Sequence, residues 1–339
     1  MSDHLESPGL SRGEEVNADR MLRIGMARGV SAEAEATVGR ITAATGRTAE
    51  ICRFANREEL ETCLPHIEVL YGSLRAGQAA RAPRLRWVQA QSAGVDGLPL
   101  QELRAAGIVL TNARGVYDEA MAEHALALLL ALVRELPDAV RAQADGVWRP
   151  LHGGDVLAGS RLGILGYGAI GRAVAARGRA FGLSVWATRA HPRPDPLVER
   201  MFGPTRAELL ECLAGCGHIV ATLPSTPATR GQLDQEALAV LPAGARVINV
   251  GRGDLIVEEA LNTALRSGHL AGAGLDCPPR DPLPPDSPLW TAPGALITPH
   301  IGGSRPDNGI RTLQLFAANL ARYCSGEPLE NRVDLAAGY

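Results

Sequence analysis

The chain has 339 residues, enough for two domains. Apolar residues make up 46% and charged residues 21%, the balance of an ordinary soluble globular protein. With 34 basic against 37 acidic side chains, a net charge of -3 and no long basic run, the composition argues against a nucleic-acid or anionic-membrane surface and points to small molecules or further copies of the chain as partners.

Residues 1–20 are polar and acidic and lack the apolar core of a signal peptide, so a disordered tail is expected. From Leu22 to Thr111, short apolar runs at Leu22–Met26, Ile67–Tyr71, Leu85–Ala90 and Ile108–Thr111 alternate with amphipathic stretches, the rhythm of βα units on a parallel sheet. The run Ala125–Val133 is apolar all round but far shorter than the roughly 20 residues of a membrane span. It predicts a helix from about Glu119 to Arg134, buried in a core or a subunit interface. A second series of strands is predicted at Leu162–Leu165, Leu183–Ala187, His218–Leu223, Arg246–Val250, Ala271–Leu275 and Leu296–Thr298, the six-strand count of a Rossmann domain. Past Pro299-His300 only a helical segment remains, from about Pro306 to Tyr323. The predicted fold class is therefore α/β with two domains. A Rossmann dinucleotide-binding domain at 116–300 is inserted into a smaller flavodoxin-like parallel-sheet substrate domain at 21–115 and 301–339, with substrate expected in a cleft between them. The six cysteines, Cys52, Cys63, Cys212, Cys216, Cys277 and Cys324, show no C-x-x-C pair and no zinc spacing. They read as reduced thiols of a cytoplasmic protein, and no metal site is predicted.

The strongest local signal is Gly163-Ile164-Leu165-Gly166-Tyr167-Gly168-Ala169-Ile170-Gly171, an apolar strand running into G-x-G-x-x-G and then into an alanine-rich helix. In that setting Gly166 makes the tight turn, Gly168 lets the backbone approach a pyrophosphate and Gly171 lets helix pack on strand. The free amides at the helix start would face the phosphates. A site for NAD keeps an acid at the end of the second strand to hold the ribose hydroxyls. Here the strand ends Val185-Trp186-Ala187-Thr188-Arg189. A guanidinium with a hydroxyl beside it suits a 2'-phosphate, so NADP(H) is predicted in preference to NAD(H), with Arg193 as a second cation. The blander reading is a strand-end arginine pointing into solvent.

Three later segments end strands on the side where α/β proteins place their chemistry: Asn249-Val250-Gly251-Arg252-Gly253, Gly274-Leu275-Asp276-Cys277-Pro278-Pro279-Arg280-Asp281, and Thr298-Pro299-His300-Ile301-Gly302-Gly303. With Ser92-Ala93-Gly94-Val95-Asp96, Thr111-Asn112, Ala122-Glu123-His124, Leu223-Pro224 with Thr229-Arg230, and Pro288-Leu289-Trp290, they make the chain from about residue 60 onward resemble the D-isomer-specific 2-hydroxyacid dehydrogenase family, in particular its glyoxylate and hydroxypyruvate reductases. The resemblance implies a catalytic set of Arg252, Asp281 and His300. It sets the cofactor against Gly166, Tyr167, Gly168, Ala169, Ile170, Gly171, Thr188, Arg189, Leu223, Pro224, Val250, Arg252, Asp276, His300 and Gly302. Substrate would meet Leu74, the backbone of Ser92, Ala93 and Gly94, Arg252 and His300. It also implies a homodimer, with the apolar helix after Glu119 at its interface.

The chemistry accounts for these residue types. Hydride delivery to a ketone leaves negative charge on oxygen, and a histidine poised near neutral pH can protonate it, the more so beside a carboxylate that favours its charged form. An arginine fork can hold the substrate carboxylate and polarise the keto oxygen. Family members usually carry glutamate where Asp281 stands, and a Val-Phe-Glu-like run where this chain has Cys277-Pro278-Pro279. Asp276 is therefore a competing partner for His300. Cys277 reads as a thiol whose modification would inhibit, and His124 as a buried structural histidine. The expected activity is NADPH-preferring reduction of glyoxylate, hydroxypyruvate or a similar 2-oxo acid to the D-2-hydroxy acid. The alternatives are an NAD-dependent dehydrogenase of formate, phosphite or phosphoglycerate, the last usually with a strand-end acid and a carboxy-terminal extension absent here, and an NAD(H)-sensing corepressor-like binding protein.

Overall fold

Strands buried on both faces organise two separate parallel sheets. A computed structural model describes residues 21–27, 32–151 and 153–338; the tail expected at 1–20 lies outside the described residues. The chain divides into two units. The described residues up to Gln91, with Leu98–Thr111 and Leu313–Ala336, form the first; Ser92–Gly97 and Asn112–Thr312 belong to the second. This differs from the predicted boundaries in three places, the first being that the second unit resumes at Asn112 and not at 116. Residues 92–97 join the second unit because Asp96 pairs with Arg252 and the Ala93 carbonyl accepts from Asn112. The return to the first unit comes within the last helix, after Thr312, and not at Ile301.

In the first unit, β1 (Leu22–Ala27), β2 (Ala49–Phe54), β3 (Val69–Tyr71), β4 (Trp87–Gln89) and β5 (Val109–Thr111) lie in the order β2-β1-β3-β4-β5, all parallel. This is the flavodoxin-like order. Leu22, Ile24, Met26, Val69, Tyr71 and Trp87 pack with Phe316 and Leu320 of the helix Asn308–Ser325. The Phe316 ring centroid lies 4.8 Å from that of Tyr71 and 5.4 Å from that of Trp87. The Trp87 indole N–H donates to Thr111 Oγ1 at 2.8 Å, so its polar end is satisfied inside the core. Strand β2 was not legible as a strand because it is an edge that pairs with β1 alone, and half-exposed residues dilute its apolar signal.

The cysteines correct the expectation of six thiols. Strand β2 and the helix Arg57–Cys63 fold side by side and bring the Cα atoms of Cys52 and Cys63 to 6.0 Å, where the two sulfurs are bonded. Cys212, Cys216, Cys277 and Cys324 are free and buried.

The second unit holds β6 (Arg161–Leu165), β7 (Ser184–Thr188), β8 (Arg200–Phe202), β9 (His218–Ala221), β10 (Ala245–Asn249), β11 (Leu270–Leu275) and β12 (Ala295–Ile297) in the order β12-β11-β10-β9-β6-β7-β8. Counted from β6, this is the Rossmann order with one further strand, β12, beyond the sixth. The extra member relative to the predicted six is β8, a three-residue edge strand too short to read. Strands β9 and β10 are buried at every position, which is why Ile219–Ala221 and Val247–Ile248 run apolar without alternation. The helix Asp118–Val133 packs on the helix Ala169–Ala180 and on β10 and β11; Leu128 and Leu132 close over Gly274 and Gly272. It is thus a core helix of its own unit, and a run of exposed large apolar side chains follows it, at Leu136, Val140, Val147, Trp148 and Val156. Among the described residues no helix is long and apolar enough to cross a membrane.

Candidate active site

The strand order reverses between β6 and β9, the position at which open α/β sheets place their ligand. The glycine turn follows β6. Gly166 has φ +95°, and a Cβ there would come within 3.0 Å of the Leu223 side chain. A Cβ on Gly171 would stand 2.6 Å from the Gly166 carbonyl oxygen, so this glycine is needed for the helix to sit on the strand. Gly168 is different. Its backbone is extended, and a Cβ would meet nothing within 4 Å. Nothing inside the protein demands glycine at 168; it clears the space in front of a helix start that no side chain caps. That is the shape a dinucleotide pyrophosphate fits.

Around this turn, Tyr167 is buried, and burial together with the negative charge of Asp195 pushes its phenol up to about 12. Ala169 is exposed at the helix start and Ile170 half-buried. Leu223 and Pro224 follow β9, and Val250 follows β10 and is buried. At the end of β7 the Thr188 hydroxyl is buried and accepts from the Gly166 amide at 3.2 Å, so it braces the turn. Arg189 is half-buried, with no hydrogen bond or ion pair to its guanidinium among the described residues, and Arg193 is exposed. No acid stands at the end of β7. Asp195, further along, is held by Arg172 at 2.9 Å.

After β10, Asn249 is fully buried and ties two loops together: its Nδ2 donates to the carbonyls of Arg252 and Cys277, each at 2.9 Å. Arg252 donates from Nε to Asp96 Oδ2 at 2.8 Å and from Nη1 to the Gly251 carbonyl at 2.8 Å. Burial works against its charge, but the hydrogen bond and negative charge of Asp96 outweigh this and hold the guanidinium above its ordinary range. Nη2 lies against Gly94, where any Cβ would overlap it outright. The Ser92–Gly94 loop is held by the Asn112 amide on the Ala93 carbonyl (2.7 Å) and the Ala113 amide on the Ser92 carbonyl (2.9 Å). Ser92 turns its own hydroxyl onto the Gly94 carbonyl.

After β11, Asp276 is completely buried. Its Oδ1 accepts from the Thr298 hydroxyl (2.7 Å) and the Ile301 amide (2.9 Å), its Oδ2 from the Gly302 amide (2.8 Å). Thr298 has given its one proton to Asp276, so His124 Nε2 must be the donor to Thr298 Oγ1 at 2.9 Å. Asp276 thereby pins the turn that carries His300, whose backbone sits in the left-handed region at φ +53°. Such a conformation costs about 1–2 kcal/mol and persists where its surroundings hold it. The Asp276 carboxylate makes no bond to the His300 ring. Asp281 does: its Oδ2 lies 2.5 Å from His300 Nδ1. Beneath the ring, Cys277 Sγ is 3.9 Å from Nδ1 and 3.8 Å from Nε2. Burial, then the charge of Asp276, pushes this thiol up to about 12. Its burial, at 1% exposed, works against the modification expected of it.

Of the expected residues, Arg252, Asp281, His300 and the glycine turn all lie in loops at the C-terminal ends of the second sheet. Leu74 is a core side chain of the first unit, 1% exposed. Asp96, Asn249 and Thr298 were not singled out, although each stands inside a quoted motif. No group of three potential metal ligands occurs among the described residues.

Comparison with known proteins identifies the family. A profile described as D-isomer specific 2-hydroxyacid dehydrogenase, NAD binding domain, matches residues 126–302. The glyoxylate reductase/hydroxypyruvate reductase of Mus musculus is 36% identical over 262 residues, 76% of this chain and 79% of that protein. The chain belongs to the D-isomer specific 2-hydroxyacid dehydrogenase family. D-3-phosphoglycerate dehydrogenase of Mycobacterium tuberculosis is 33% identical over 288 residues, 84% of this chain but 54% of that protein, so this family member spans about half the length of the mycobacterial enzyme. Among solved structures, a D-isomer specific 2-hydroxyacid dehydrogenase from Xanthobacter autotrophicus in complex with NADPH and MES has a TM-score of 0.78 at 30% identity, covering 94% of this chain and 99% of that one.

Proposed function

We propose that this family member reduces small 2-oxo acids, of the glyoxylate or hydroxypyruvate kind, to D-2-hydroxy acids with NADPH. The observation that carries the reading is the His300–Asp281 pair, 2.5 Å apart, on loops next to the loop that presents Arg252. The Asp281 carboxylate accepts a hydrogen bond from Nδ1–H, which fixes the ring plane and leaves Nε2 for the substrate. In the charged imidazole, Nε2–H is the proton given to the keto oxygen as negative charge develops there. Arg252, its Nε engaged by Asp96, has N–H groups left on Nη1 and Nη2 to hold the substrate carboxylate and polarise the keto oxygen. Backbone amides of Ser92–Gly94 are further donors for that carboxylate. When bound, the reduced nicotinamide supplies the hydride.

Gly166–Gly171 and the uncapped helix start would hold the pyrophosphate. Leu223, Pro224, Val250 and Gly302 would line the dinucleotide. With Thr188 turned inward, recognition of the 2'-phosphate falls to Arg189. The relative solved with NADPH supports this choice. The exposed apolar side chains between Leu136 and Val156 support pairing with a second copy, and NADPH-fed reduction suits a cytoplasmic setting. A second reading, NAD-dependent oxidation of phosphoglycerate, is favoured by the mycobacterial relatives and disfavoured by Arg189 at the strand end.

The test is to mix purified protein with NADPH or NADH and, in turn, glyoxylate, hydroxypyruvate, pyruvate and 3-phosphohydroxypyruvate, following the reduced cofactor by absorbance. NADPH should be consumed with glyoxylate or hydroxypyruvate, about tenfold or more faster than NADH. Consumption only with NADH and the phosphorylated acid supports the second reading; none with any acid removes both.

A further inference from the structure

His218 opens β9 and Arg246 is the second residue of β10; the two are register partners at the end of the sheet away from the active-site loops. Three residues of strand, about 10 Å, separate Arg246 from Asn249. Both side chains are more than nine-tenths buried, at 8% exposed for Arg246 and 4% for His218. Arg246 Nε and His218 Nδ1 are buried without a hydrogen-bond partner among the described residues, while Arg246 Nη1 and Nη2 and His218 Nε2 are less deeply buried and make no hydrogen bond or ion pair there. On its other side Arg246 faces Gly272 across the ladder, so neither cross-strand neighbour is an acid.

The surroundings do not supply the missing charge. Asp155 is the carboxylate that acts on His218, but it is exposed, and its Oδ1 is engaged by the Val156 amide at 2.8 Å. Arg134 reaches only the Asp155 backbone carbonyl. Burial, and then the Arg246 charge, press the His218 pKa down to about 4, with the Asp155 carboxylate acting the other way. A buried guanidinium is ordinarily paired, because desolvating it without a counter-charge is costly. A buried polar group without a partner calls for one, and two cationic-type side chains side by side call for an acceptor.

We propose that Arg246 and His218 form an oxyanion site, taking a phosphate or carboxylate group at the N-terminal edge of β9 and β10, separate from the glycine turn at the other end of the sheet. The guanidinium fork matches two oxygens of such a group and the imidazole adds a third contact. The oxyanion comes from a free small anion or from an acidic side chain of a second copy, and the experiment separates these sources.

Thermal melting of the full-length protein is followed in low-salt buffer, with and without inorganic phosphate and at several protein concentrations, for wild type and Arg246→Met. At tenfold excess over its dissociation constant, phosphate should raise the wild-type melting temperature by about 3 °C. Phosphate bound at the glycine turn would act on both proteins alike, so the expected signature is loss of part of this rise in Arg246→Met. If phosphate has no such effect, but melting temperature rises with protein concentration in wild type and not in Arg246→Met, the second copy supplies the oxyanion. An identical phosphate response in the two proteins with no difference in concentration dependence overturns the proposal. Should Arg246→Met not accumulate folded, Arg246→Gln carries the same comparison.

Discussion

Replacing Gly94 by alanine probes the placement of Arg252 with one methyl group. The new Cβ would overlap Nη2, lie 2.8 Å from Cζ and stand 3.3 Å from Asp96 Oδ1. Restoring an ordinary contact of about 3.5 Å moves the guanidinium by about 2 Å. A shift of that size breaks the 2.8 Å bond from Nε to Asp96 and turns the remaining N–H groups away from the substrate carboxylate. A displacement of about 1 Å already costs on the order of 10²-fold in rate, so kcat/KM for hydroxypyruvate should fall by about 10²-fold or more, roughly 2.7 kcal/mol of transition-state stabilisation. Because Arg252 binds the acid before and during reaction, KM should rise while kcat falls. Gly94 has no left-handed backbone and lies in a half-buried loop, so the stability change should stay below about 1 kcal/mol. The assay is steady-state kinetics with NADPH, beside a thermal melt and a fluorescence titration of NADPH binding. An alanine variant that keeps its fold and retains kcat/KM within about threefold would refute the assigned role of Arg252.

Three further outcomes are expected. Arg189→Ala should weaken NADPH binding by about tenfold or more and leave NADH almost unchanged, read by titration of each cofactor; an equal effect on both would show that Arg189 does not meet the 2'-phosphate. Gly168→Ala should keep its melting temperature yet lose cofactor affinity, whereas Gly171→Ala, whose Cβ meets a carbonyl oxygen at 2.6 Å, should lose about 1–3 kcal/mol of stability; the two glycines behaving alike would contradict their separate assignments. His218 takes its proton near pH 4 when folded and near 6.5 when unfolded, so between these values the unfolded chain binds more protons and stability falls as pH is lowered. In anion-free buffer, denaturant titrations should show about 3 kcal/mol more acid destabilisation for wild type than for His218→Gln between pH 7 and 4, and equal slopes would place His218 in a different environment.

The glycine turn was legible because each glycine answers a steric demand that spacing alone specifies, and Gly168 stands out only once the other two have been accounted for by internal contacts. The central strands were legible for a related reason: β9 and β10 are buried throughout, so apart from His218, Arg246 and Asn249 their residues are apolar without regard to face. Edge strands β2 and β8 bury less, and their signal is correspondingly weak. What sequence could not show is convergence between distant loops. Asp96 meets Arg252 across 156 positions, and Asn249 meets the Cys277 carbonyl across 28. Polar side chains of this kind carry no periodicity, and their partners exist only after the sheet has aligned the strand ends. Cys52 and Cys63 are the same lesson in covalent form, since their pairing depends on a helix folding back along an edge strand. Asp276 was read as a rival partner for His300; its burial and its three donors from residues 298–302 make it the anchor of the turn instead.

The most direct measurement is on His300→Gln, an uncharged side chain that removes the transferable proton. NADPH affinity should remain within about twofold of wild type, while kcat for hydroxypyruvate reduction should fall by about 10³-fold at every pH, in line with loss of a general acid. A variant that binds NADPH normally and turns over within about tenfold of wild type would mean that the proton comes from elsewhere, and that the His300–Asp281 pair is not the centre of the chemistry.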